Sequence, residues 1–249
     1  MKIKIAHLYY DLMNLYGENG NVRALKKYFE QENVECEIHF LTINDIINFN
    51  DFDLYYIGMG SEKSQELVIE DLKKYKKEIK EAINNNKYFI MTGNAYEMFG
   101  KYIIDFNEKK IECLDIFPYY TKRIDKKDYM EDCDFRIVGS VSGKTKLIEE
   151  TIIGFINRGG TIHESDLPFI TLNKGIGYEP NVKEEGYIYK NFIGTYILGP
   201  LFIRNPYFTK YLVQKIIREK NNNYKFKVFK NTIEIKAYES FLDNFKEYN

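Results

Sequence analysis

KYFIMTGNAYEMFGKYI, residues 87–103, decides how this chain is read. An apolar run, Tyr88–Met91, passes through Thr92 into a turn at Gly93 and Asn94, and apolar residues resume at Ala95. That order predicts a buried strand, a tight turn and the start of a helix. Many α/β enzymes carry their nucleophile at such a turn, beyond the carboxyl end of a strand. Here the turn offers no reactive atom apart from the Thr92 hydroxyl just before the bend.

Working outward, IKIAHLYY (3–10) reads as a short apolar strand, followed by a polar segment. VRALKKYFEQEN (22–33) places Val22, Leu25 and Phe29 at helical spacing. VECEIHFL (34–41) alternates as a strand does, and DFDLYYIGMG (51–60) runs from a buried strand into a glycine-rich turn. SQELVIEDLKKYKKEIKEAINNN (64–86) reads as one long helix with a charged outer face. Strands alternating with helices over short connections give an α/β class, a mostly parallel sheet with helices on both faces. From about Ile111 short strands and glycine turns follow, in FRIVGSV, TIIGFINRGGTIH and YIYKNFIGTYILGP, which predicts an added antiparallel part. A helix is expected from about Tyr207 to Glu219, then a polar surface connection (221–231) and a final helix. No repeat or Pro- or Ser-rich linker divides the chain, so residues 1–249 are expected to form one domain.

The composition is that of an ordinary soluble globular protein, with 44% hydrophobic and 29% charged residues over 249 positions. A net charge of −1 gives no sign of a nucleic-acid or membrane-surface binder. No apolar run approaches the ~20 residues of a membrane span, and the N-terminus carries no signal-peptide pattern, so a cytoplasmic location is expected. The lack of Trp and the wealth of Tyr, Asn, Lys and Ile read as compositional bias. Cys36, Cys113 and Cys133 have no metal-ligand spacing, and an odd count argues for reduced thiols.

The usual reactive groups give little. Thr92 has no neighbouring base in sequence, and Cys113 in IECLDIF reads as a packed small hydrophobe. Cys133 lies in acidic EDCDF, where neighbouring carboxylates disfavour the thiolate. His39 alternates within a strand, His7 sits near the end of the first strand, and His163 falls in a loop-like GGTIHESD. Three dispersed histidines make no zinc site, and neither metal nor cofactor is expected. What remains is two glycine turns, GMGSEKSQE (58–66) and TGNAYE (92–97), whose open backbone N–H groups suit an anion or an oxyanion. As bare patterns they are weak signals, read more readily as tight turns without chemistry.

Longer blocks add a resemblance. HLYYDLMNLYGENGNVRALKKYFE, YYIGMGSEKSQELVIEDL, NAYEMFGKY, RIVGSV, IIGFINRGG and IGTYILGPLFIRNP occur in order over nearly the whole chain. They resemble the glutamine amidotransferase-like proteins of the CobB/CobQ (cobyric-acid-synthase) type. The residues look most like the branch of bacterial glutaminase subunits of lipid II isoglutaminyl synthase, which serve peptidoglycan, the cell-wall polymer. The resemblance implies a class-I, triad-type glutamine amidotransferase with a flavodoxin-like core. The cobyric acid enzyme carries a further synthetase domain for which this length leaves no room, so cobalamin synthesis is not expected.

The same resemblance exposes two losses. The family elbow reads Cys-Gly-Gly-Tyr-Gln-Leu-Leu-Gly; anchored on Tyr96 and Gly100, its cysteine falls on Gly93. The family's Gly-Thr-Tyr-Leu-His-Gly-Pro becomes GTYILGP (194–200), with Leu198 at the histidine. Hydrolysis of glutamine by this route needs a thiolate and an imidazole, and neither residue supplies one. Glycine would also relieve the strained backbone that a nucleophile at an elbow tolerates. The family's Gly-Gly-Gly-Gln turn becomes Gly58-Met59-Gly60-Ser61, and Gly-Phe-Glu-Asn-His becomes GFINR, with Ile156 and Arg158 as departures. Gln65, Arg136 and Asn157 match family positions, Arg136 one associated with the substrate pocket. With Gly58, Gly60, Ser61 and Asn94 they are the substrate-pocket candidates.

The expected function is therefore a catalytically silent counterpart of the glutaminase subunit, docked on a Mur-ligase-like partner. Two alternatives stand beside it: a sensor of glutamine or another small amino acid, and an active glutaminase using an unrecognised nucleophile such as Thr92.

Overall fold

A computed structural model describes residues 1–124, 136–228 and 232–247 of the chain, with side chains to residue 243; Cys133 lies outside them. Strand β1 (Lys2–Leu8) opens the chain and alternates at first, exposing Lys2 while burying Ile3 and Ile5. Helix α1 (Asn19–Gln31) follows, its buried stripe containing Val22, Leu25 and Phe29. Then come β2 (Glu35–Leu41) and β3 (Leu54–Ile57). Every residue of β3 is buried, as it is in β4 (Tyr88–Thr92), the signature of strands covered on both faces.

Between β3 and β4 the long helix read from the sequence is two helices, α2 (Glu62–Leu72) and α3 (Lys76–Asn84), joined by a 3-10 turn at Lys73–Tyr75. Tertiary contacts account for the break. Tyr75 leaves helical geometry (φ −110°, ψ 12°), packs its ring 5.7 Å from that of Phe49 and donates to the Asp45 carbonyl at 3.2 Å. Ser61 caps α2, its hydroxyl accepting the Ser64 N–H at 3.0 Å.

After β4 the expected helix does not form. Gly93–Phe99 is a wholly buried 3-10 turn, and Tyr102–Ile104 is strand β5. The carbonyls that a helix would use are taken by a later segment: Leu114 N–H donates to Met98 O (2.9 Å) and Phe117 N–H to Phe99 O (3.1 Å). The chain continues through β6 (Lys110–Glu112), β7 (Tyr120–Arg123), β8 (Ile137–Lys144), β9 (Ile152–Arg158) and β10 (Gly160–His163). His163, read as a loop residue, ends β10 and stacks on Tyr120 with ring centres 5.0 Å apart. Strands β11 (Ile170–Lys174), β12 (Glu184–Glu185), β13 (Tyr187–Tyr189) and β14 (Phe192–Thr195) follow. Helices α4 (Leu201–Arg204), α5 (Pro206–Lys220) and α6 (Ile233–Glu247) close the chain.

The main sheet has six strands in the order β13-β14-β4-β3-β1-β2, parallel except for the edge hairpin β13–β14. Two four-stranded sheets, β10-β7-β5-β6 and β12-β11-β8-β9, are inserted between β4 and β13. Only β5–β7 is parallel among them, so the added antiparallel part is these two sheets. Because β1, β3, β4 and β14 run the same way, their carboxyl ends share one edge. Thr195 pairs beside Thr92 and Ile57 beside Met91, which brings the turns at Gly58, Gly93 and Tyr196–Leu198 together.

Candidate functional site

At that edge Gly93 follows β4 with φ +62°, a left-handed backbone that glycine adopts without penalty. A β-carbon added there would lie 2.4 Å from Cβ and 2.7 Å from Cγ of Met59. Met59 is itself 4% exposed, so its side chain fills the space a cysteine would need. Leu198 is 1% exposed and tied to β9, donating its N–H to Phe155 O (2.8 Å) and accepting the Phe155 N–H (3.2 Å). Neither Gly93 nor Leu198 reaches the wall of the neighbouring pocket.

That pocket has a volume of about 380 Å³. Of the sequence candidates, Gly60, Ser61, Gln65, Asn94, Arg136 and Asn157 line it. Gly58 does not: it lies beneath, where an added β-carbon would meet Glu18 Cβ and the Met13 carbonyl at 2.6 Å each. The floor is closed by Asn94. Its Oδ1 accepts the Gly60 N–H (3.0 Å) and its Nδ2 donates to the Gly60 carbonyl (3.0 Å). A backbone N–H at a glycine turn is the kind of donor that stabilises an oxyanion. Here the chain's own carboxamide already occupies it.

The pocket walls also hold charged residues that the sequence did not single out. Glu97 is buried, and burial raises its carboxyl above the usual range, opposed by hydrogen bonds from Tyr196 and Gln65. Tyr196 OH donates to Glu97 Oε1 (2.6 Å) and Gln65 Nε2 to Glu97 Oε2 (2.8 Å). Arg123, with a side chain 8% exposed, reaches Glu66 at 3.3 Å and Gln65 Oε1 at 3.4 Å. Arg136 holds Asn157, donating to its Oδ1 (2.5 Å) and its carbonyl (3.0 Å), while Asn157 Nδ2 donates to Tyr16 OH (2.8 Å). Arg158, at the family's histidine of GFENH, points elsewhere: it is buried and donates to the Gly160 (2.7 Å), Tyr178 (3.0 Å) and Gly177 carbonyls.

Behind the elbow lies a second buried acid. Tyr56 OH sits 2.6 Å from Glu18 Oε2 and 2.7 Å from Thr92 Oγ1, Thr92 also contacts Glu18, and Asn21 donates to Tyr56 OH (2.7 Å). Burial pushes the Glu18 carboxyl up to about 7, against the lowering effect of hydrogen bonds from Thr92 and Tyr56. Thr92 is fully buried and does not line the pocket. Burial also holds His7 down at about 4 and pushes the Cys36 thiol up to about 12; the Cys113 thiol is raised too. None of these is poised as a nucleophile or base at the pocket. Among the described residues no group of His, Cys, Asp and Glu is arranged to hold a metal ion. No helix among them is long and apolar enough to cross a membrane.

Glu97 and Arg123 carry no local sequence signal beyond being charged residues within otherwise mixed segments. Glu97 stands at the family's glutamine of the elbow, and that match is the one clue to it.

Comparison with known proteins shows the family and the fold. Residues 4–206 match the model of the CobB/CobQ-like glutamine amidotransferase domain. The chain is 31% identical over 244 residues to the lipid II isoglutaminyl synthase (glutamine-hydrolyzing) subunit GatD of Staphylococcus aureus strain N315, covering 97% of this chain and 96% of that protein. It is 28% identical over 243 residues to the subunit of the same name from Streptococcus pneumoniae strain ATCC BAA-255 / R6, covering 97% and 87%. A solved glutamine amidotransferase of Thermotoga maritima has the same fold, with a TM-score of 0.51 at 11% identity over 98% of this chain and 92% of that one.

Proposed function

The chain belongs to the CobB/CobQ-like glutamine amidotransferase family, and from that premise we propose that it has given up glutamine hydrolysis and serves as a docking subunit for a Mur-ligase-like partner. One observation carries the reading: a β-carbon at Gly93, the position to which the resemblance assigns the nucleophile, would lie 2.4 Å from Met59 Cβ. Three further features support it. Leu198 offers no proton-transfer group, Asn94 occupies the Gly60 N–H, and neither degenerate position lines the pocket. Loss of a thiolate and of an imidazole removes both partners of the covalent step, so no single compensating residue restores it.

The curated relatives are named as subunits of a lipid II isoglutaminyl synthase, and the likeness to them extends over nearly the full length of this chain. That supports retention of the surface through which such a subunit meets its partner. A silent subunit then stabilises or regulates a ligase that takes free ammonia. The test is affinity purification of the tagged full chain from its native cell extract. A Mur-ligase-like protein is expected to copurify in stoichiometric amount; a monomer with no such partner would overturn the docking role.

A further inference from the structure

The pocket has outlived the elbow, and its charges point to a ligand other than a substrate amide. Arg123 is a buried guanidinium with five N–H donors, yet its two hydrogen bonds among the described residues are long, 3.3 Å to Glu66 and 3.4 Å to Gln65 Oε1. Glu66 is about half exposed (48%), so solvent weakens its hold on that charge. Glu97, the nearest buried acid, spends its two oxygens on Gln65 and Tyr196 rather than on Arg123. Burial raises its carboxyl, opposed by the Tyr196 and Gln65 hydrogen bonds and then by the Arg123 charge.

At the outer wall Arg136 directs Nε and Nη2 to Asn157, while Nη1 stands 3.8 Å from Glu62, within ion-pair range but too long for a hydrogen bond. Arg136 and Glu62, a cation and an anion 3.8 Å apart on one wall, match the carboxylate and ammonium of an α-amino acid. The amide-reading group, by contrast, is used up. Asn94 makes a two-point match to the Gly60 N–H and carbonyl, which shows what that backbone recognises and that the seat is taken.

We propose that this pocket binds a free acidic amino acid of the glutamate class in preference to the corresponding amide, with the α-carboxylate on Arg136, the ammonium on Glu62 and the side-chain carboxylate on Arg123. The assignment rests on the loss of hydrolysis, since a site that turned glutamine over would have to seat its amide.

The experiment is calorimetric titration of the intact chain with L-glutamate, L-glutamine, glycine and glutarate at matched ionic strength. L-Glutamate is expected to bind saturably and about tenfold or more tighter than L-glutamine, a difference of ~1.4 kcal/mol. Arg123→Gln is expected to bring the two affinities together. Glu62→Gln, at an exposed pair and so folded even if the Arg123 variant is not, is expected to weaken L-glutamate while leaving glutarate unchanged. Equal or tighter binding of L-glutamine, or no binding of any amino acid, would overturn the proposal. Ammonia release, assayed on the same samples, would instead overturn the loss of hydrolysis, so the two failures are distinguishable.

Discussion

Restoring the thiol alone should harm the protein rather than revive it. In Gly93→Cys the new Cβ would lie 2.4 Å from Met59 Cβ and 3.0 Å from its sulfur, in a backbone held at φ +62°. The left-handed conformation costs a residue with a side chain ~1–2 kcal/mol, and overpacking a tight core costs ~1–3 kcal/mol. A destabilisation of about 2–5 kcal/mol is therefore expected, read as a lower urea midpoint at unchanged m. Met59→Gly alone costs ~2–5 kcal/mol, as truncations of buried side chains do. The two changes are not additive, because Met59 is what the new side chain strikes. The double variant should be more stable than the sum of the singles by roughly 1–3 kcal/mol. Iodoacetamide labelling of the native protein gives a second readout, with the introduced thiol blocked in the single variant and reactive once Met59 is gone. Neutral stability for Gly93→Cys, or additive singles, would refute the claim that Met59 closes the elbow.

Two other perturbations read the surrounding network. Glu18 has its carboxyl raised from 4.5 to about 7, so between those values the folded state keeps a proton that the unfolded chain has released. Its contribution is fully present below that window and is lost as pH rises through about 7, costing roughly 3 kcal/mol above it. Glu18→Gln should thus match the parent near pH 4.5 and exceed it at pH 8; two parallel stability profiles would contradict the assignment. Only the difference between the two proteins isolates Glu18. Glu185, raised to about 7, acts with the same sign, and His7, lowered to about 4, loses stability as pH falls below 6.5. Asn94→Ala removes both hydrogen bonds to Gly60 and should cost about 1–3 kcal/mol in urea unfolding. A cost near zero would mean that the Asn94 carboxamide does not hold the Gly60 turn.

The parts of the fold visible in the sequence are those whose signal is local. β1, β3 and β4 are short apolar runs bounded by turns, and α1 buries its apolar stripe at helical spacing. The break at Tyr75 and the 3-10 turn after Gly93 are not visible there, because their causes come from elsewhere in the chain: Phe49 and Asp45 in one case, Leu114 and Phe117 in the other. The site divides in the same way. Gly93 and Leu198 stand out once the family frame is laid on the sequence, and Met59 stands out as a filled glycine position. That Met59 packs on Gly93 itself is a contact across two sheet-edge turns, invisible to any pattern. Glu18 reads as a polar loop residue, yet it is buried behind the elbow with Tyr56 and Thr92, whose hydroxyls come from the neighbouring strands β3 and β4.

The central claim is that this glutaminase fold no longer hydrolyses glutamine, and ammonia release tests it most directly. The purified chain should be assayed with L-glutamine, alone and in any complex recovered with its partner, with an active family member as the positive control. No ammonia above the protein-free blank is expected in either state. Release above that blank, abolished by Thr92→Ala or by any other single substitution in this chain, would contradict the account.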